Sequence, residues 1–91
     1  MKKSEFENKI KEIQCEKIIY EGKFKTYLKN QKEYYIDRNR DNLYGCYFND
    51  DEDEFVIFFL DPERGILKEI GHYKTEDEAY DNLYKKMSNH M

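Results

Sequence analysis

The spacing of hydrophobic residues changes twice along the chain, from helical to strand-like and back to helical. Phe6, Ile10 and Ile13 recur at helical spacing, and Ser4 and Glu7 have the spacing of a capping box, so a short first helix is expected to end near Glu16. Its apolar stripe is narrow, which places the helix on a surface. Ile18, Ile19 and Tyr20, a break at Gly22, and Phe24 to Leu28 then read as one bent strand or two short ones. Tyr34-Tyr35-Ile36 and Leu43 to Phe48 are rich in strand formers and are joined by the polar loop Asp37 to Asn42. A second polar loop, Asn49 to Glu54, leads into Phe55-Val56-Ile57-Phe58-Phe59-Leu60, an unbroken apolar run with the length and composition of a central strand. Asp61-Pro62-Glu63-Arg64-Gly65 carries Pro and Gly where a tight turn uses them, and Ile66 to Tyr73 forms the return strand. Thr75 and Glu78 repeat the capping-box spacing, with Ala79, Tyr80, Leu83, Tyr84 and Met87 forming a broad helical stripe behind them.

The order helix, four or five antiparallel strands, helix predicts one α+β domain over residues 1–91: two layers, a meander sheet, and both helices on one face. Phe55, Ile57 and Phe59 point to one side of the central strand and Val56, Phe58 and Leu60 to the other. Helices on one side cover only one of these sets. The other is expected to be exposed unless Tyr and Lys stems on neighbouring strands, loops, a homodimer or a partner cover it.

Composition changes the picture in one respect. Charged residues make up 40% of the chain and hydrophobic ones only 38%, a balance that approaches disorder. Nine Tyr and six Phe argue for a folded core, since disordered chains are poor in such residues. The longest apolar run, Phe55 to Leu60, falls far short of the roughly 18 residues of a membrane span. Met1-Lys2-Lys3-Ser4 leads into a charged segment rather than a secretion signal, so a cytoplasmic location is expected. Cys15 and Cys46 stand alone, without zinc-ligand spacing, and are expected to be buried thiols.

The net charge of −4 is unevenly distributed. Residues 1–22 and 64–91 each balance at five against five; Lys23 to Arg40 has six basic residues against Glu33 and Asp37; Asp41 to Glu63 has eight acidic residues and no basic one. Five of the eight are consecutive: Asp50, Asp51, Glu52, Asp53 and Glu54. On a solvated loop their pKa values would shift little, which disfavours paired-carboxylate catalysis. The alternating ligands and central Gly of a calcium loop are also missing. Such a run is either a solubilising loop or a docking element for a cationic partner, where charge raises association rate and specificity. It would repel nucleic acid. The basic segment with Tyr27, Tyr34 and Tyr35 could stack on a single strand, but the negative net charge and the lack of an RNA-binding signature argue against nucleic acid as the partner. His72 lies near the end of the return strand and reads as structural, His90 falls in the tail, and the four glycines are dispersed rather than gathered in a phosphate loop. No catalytic centre, cofactor site or metal site is expected.

Leu43-Tyr44-Gly45, the strand Phe55-Val56-Ile57-Phe58, and the return strand leading to Tyr73-Lys74-Thr75-Glu76-Asp77-Glu78-Ala79-Tyr80 resemble the small immunity proteins that bacteria encode beside polymorphic toxins. The resemblance covers about half the chain and implies a non-catalytic protein that occludes a cognate toxin. The expected partner is therefore a basic toxin domain, such as a nuclease, bound by Asp50, Asp51, Glu52, Asp53 and Glu54 with Tyr44 and Tyr47 beside them. The alternatives are a phage or plasmid protein that mimics nucleic-acid charge to block a defence nuclease, and a homodimeric scaffold.

Overall fold

The computed structural model describes residues 1–19, 31–39, 42–61, 64 and 66–89. Helix α1 spans Lys3–Lys9 and tightens into a 3₁₀ turn, Ile10–Ile13. Strands β1 (Cys15–Ile19), β2 (Glu33–Asp37), β3 (Asn42–Asn49), β4 (Glu54–Asp61) and β5 (Ile66–Tyr73) follow, and helix α2 (Glu76–Ser88) comes last. Each strand pairs antiparallel with its neighbour in sequence, giving the expected meander with five strands. Phe6 and Ile10 join Tyr80, Leu83 and Met87 of α2 in one core with Tyr35, Tyr44 and Ile57 of the sheet, so both helices pack on the same face. The expected strand Phe24 to Leu28, the Gly22 break, Tyr27, Arg40, Pro62, Gly65 and His90 lie outside the described residues. Among the described residues no helix is long and apolar enough to cross a membrane.

The two helix starts differ. Thr75 caps α2 as its spacing predicts, its hydroxyl accepting from the Glu78 amide at 3.2 Å. Ser4 does not cap α1, which begins at Lys3 behind an N-cap without a side-chain bond. Glu7 is instead used tertiarily, accepting from the Tyr35 hydroxyl at 3.0 Å and pairing with Lys17. Packing of Phe6, and the bond from the Met1 ammonium to Asp81 of α2, start the helix earlier than local capping would. The helical segment also ends before Glu16. Gln14 adopts a left-handed φ of 59°, and the chain turns there so that Ile13 and Cys15 both enter the core, leaving Cys15 and Glu16 in β1.

The strand pattern left open what covers the face away from the helices. Val56, Phe58 and Leu60 are 0%, 0% and 1% exposed rather than open. The tip of the Phe58 ring rests on Gly45, its register partner on β3, and Tyr34 and Tyr47 flank it with ring centroids 6.0 Å away. Leu43 joins the same cluster. Tyrosines on neighbouring strands therefore screen Phe58, one of the covers the strand pattern allowed. Among the described residues, Val56, Phe58 and Leu60 present no bare apolar face.

Candidate functional site: the acidic hairpin tip

The Asn49↔Glu54 pair closes the β3–β4 ladder and leaves Asp50 to Asp53 as the turn. Its conformation is built from the residues themselves. The Asn49 side-chain oxygen accepts from the Asp51 amide at 3.1 Å, and Asp53 takes a left-handed φ of 52°, a conformation that Asp tolerates better than most residues. Asp50, Asp51, Glu52 and Asp53 are all exposed at this tip. The acidic run is thus presented at the end of the β3–β4 hairpin, with Lys74 donating to the Glu52 backbone oxygen in the turn.

Strand parity decides the fate of the two tyrosines. Tyr44 points toward the helices, is 3% exposed, and packs edge-on against Phe59 at 5.5 Å. It is a core residue, and its expected role in partner binding is corrected here. Tyr47, three positions on, points to the opposite face, where its hydroxyl donates to Glu69 at 3.0 Å. Phe48, between Tyr47 and the turn, is 43% exposed and rests on Phe55 with ring centroids 4.9 Å apart. A concavity of ≈ 510 Å³ is lined by Tyr47, Phe48, Asn49, Asp50, Asp51 and Glu69.

Glu54 also differs from its expected role, because it is only partly exposed and its carboxylate faces His72 at 2.6 Å. His72 meets Glu69 at 3.1 Å through its other ring nitrogen. These contacts, led by the hydrogen bond to Glu54, raise the His72 pKa above its usual value. Phe48 and Glu69 were not among the expected site residues, and His72 was expected to be structural. Phe48 could have been found, since a large apolar residue at a strand end beside a charged turn has little to cover it. Glu69 and His72 could not, because an irregularity in the β4–β5 register brings them together.

The thiols stand apart from the tip. Cys15 is buried, Cys46 is partly buried among Tyr80 and the sheet, and burial pushes both up to about 11. Both are protonated and poorly nucleophilic at neutral pH. With a disulfide-exchange reagent at about pH 8, the folded protein is expected to react roughly two orders of magnitude more slowly than an ordinary thiol with a pKa near 8.5, and the urea-unfolded protein at the ordinary rate. Rapid reaction of both cysteines in the folded protein would contradict this burial.

Among the described residues, no group of three His, Cys, Asp or Glu side chains is arranged to hold a metal ion. What the tip offers chemically is exposed anionic charge on the turn beside an exposed apolar ring at the end of β3. No protein-family model matches the chain, and neither a curated protein nor a solved structure matches it.

Proposed function

We propose that this protein is a non-catalytic inhibitor of the immunity-protein kind, which binds a basic bacterial toxin domain through the β3–β4 hairpin tip and keeps it inactive. The observation that carries this reading is Phe48, an exposed aromatic ring at the end of β3 beside the acidic turn. Apolar anchors surrounded by charge are a common plan for protein interfaces, with aromatic residues supplying most of the affinity and the rim setting rate and partner choice. A cationic active site, such as that of an enzyme that grips phosphates, is the complement of this surface.

The test uses affinity capture from the bacterium that encodes the protein, comparing wild type with Phe48→Ala and with the triple substitution Asp50→Asn, Asp51→Asn, Asp53→Asn. The wild type is expected to retain a basic protein whose expression arrests growth, and to relieve that arrest when the two are co-expressed. Exposed ion pairs contribute about 0.2–1 kcal/mol each, so the triple variant is expected to bind several-fold to about 100-fold more weakly, mainly through slower association and a reduced salt dependence. Phe48→Ala is expected to cost about 1–2 kcal/mol, seen mainly as faster dissociation. Equal capture by all three proteins would sink the assignment of the tip as the docking site.

A further inference from the structure

One imidazole is shared by two carboxylates at the edge of the proposed docking surface. His72 Nδ1 lies 2.6 Å from Glu54 Oε1, and Nε2 lies 3.1 Å from Glu69 Oε2. An ionised carboxylate only accepts hydrogen bonds, and a neutral imidazole has a single N–H. Both contacts are therefore hydrogen bonds only while both ring nitrogens carry protons. The arrangement fits an imidazolium.

A β-bulge makes it possible. In a regular strand Glu69 and His72, three positions apart, would face opposite sides of the sheet. Here Gly71 pairs with Ile57 and Glu69 with Phe58, so Ile70 is an extra residue in β5. That insertion returns Glu69 to the side occupied by His72, which pairs with Val56, and by Glu54, two residues before Val56. Among the described residues, the charged and titratable groups around His72 come from several elements. They are Glu54 on β4, Glu69 on β5, Tyr47 on β3, whose hydroxyl donates to Glu69, Lys74 after β5, and Asp50 and Asp51 across the concavity. Both helices pack on the other face.

We propose that His72 is a proton-operated clasp on the docking rim, which holds Glu54 and Glu69 together when protonated and lets go of Glu69 on losing its proton. Glu54 keeps its bond because its contact is shorter and its side chain less exposed, 18% against 38% for Glu69. The Nε2 lone pair then faces Glu69, and the surface beside Asp50 and Asp51 becomes one unit more negative. A cationic side chain in the concavity competes with that proton, so docking tightens as pH rises through the His72 titration. The flanking carboxylates place that titration above the ordinary His value. The coupling rests on the docking reading; the clasp itself does not.

Two measurements separate them. The first is a nitrogen-detected NMR titration of His72 in wild type, Glu54→Gln and Glu69→Gln. The second is fluorescence anisotropy with a labelled hexa-arginine peptide at about pH 6 and about pH 8, on either side of the usual His range, for wild type and His72→Gln. His72 is expected to titrate above about 6.5 in wild type and to fall toward that value in Glu54→Gln. The peptide is expected to bind wild type severalfold more tightly at the higher pH, and His72→Gln with little pH dependence. A His72 that titrates at its ordinary value, or that neither substitution moves, overturns the clasp whatever the peptide does. With the expected titration, peptide bound equally at both pH values overturns the coupling alone. Peptide bound at neither pH overturns the docking reading and the coupling with it.

Discussion

Phe6→Ala is expected to destabilise the fold by about 3–5 kcal/mol, the range for deleting a fully buried aromatic side chain. Phe6 is 0% exposed and joins three elements. From α1 it meets Tyr35 of β2 edge-on at 4.8 Å and the Tyr80 ring of α2 at 5.0 Å. A helix of seven residues has no stability of its own in water, so α1 depends on this anchor. Domains are stabilised by roughly 5–15 kcal/mol in total, and the substitution removes a large part of that. Urea unfolding should show a lower midpoint, and hydrogen exchange should show loss of protection concentrated in residues 3–13. A loss under about 1 kcal/mol would show that α1 is not held by this ring.

The second large effect is expected at Gly45. A β-carbon added there would lie 2.3 Å from Phe58 Cζ and 2.8 Å from Cε1. Contacts that short force movement, and Phe58 is fully buried between Tyr34 and Tyr47. Gly45→Ala is therefore expected to destabilise by about 1–3 kcal/mol, although Gly to Ala in a strand would otherwise be favourable by up to about 1 kcal/mol. Phe58→Leu removes the ring tip and leaves a cavity, so it should be destabilising alone. Combined with Gly45→Ala it should cost clearly less than the sum of the two, with an interaction of about 1 kcal/mol or more. Additive behaviour in a double-mutant cycle would show that the ring does not rest on Gly45.

These two sites also show why parts of the molecule could be read from sequence and others could not. Helix α2 was legible because its cap, its acidic first turn and its apolar stripe agree. Strands β3 and β4 and the turn between them were legible for a similar reason, with two β-rich runs around a polar segment. The start of α1 was not, because Ser4 offers a cap that the packing of Phe6 overrides, and Glu7 is drawn to Tyr35 and Lys17. Parity alone separates Tyr44 from Tyr47, which stand three apart on one strand and so cannot share a surface. The cluster of Glu54, Glu69 and His72 depends on one extra residue at Ile70, and no local pattern announces a bulge. Burial of the second strand face likewise depends on a tertiary contact, the ring of Phe58 over Gly45.

The site therefore combines an acidic turn visible in the sequence with an anchor and a charge network that only the fold brings to it. The most direct test of its role is site-specific photocrosslinking in the organism that encodes the protein. A benzophenone side chain would be introduced at Phe48, and at Lys85 on the exposed side of α2 as a control. Crosslinking of one basic protein from position 48, and of none from position 85, is the result expected. The same products from both positions, or products from position 85 alone, would contradict docking at the hairpin tip.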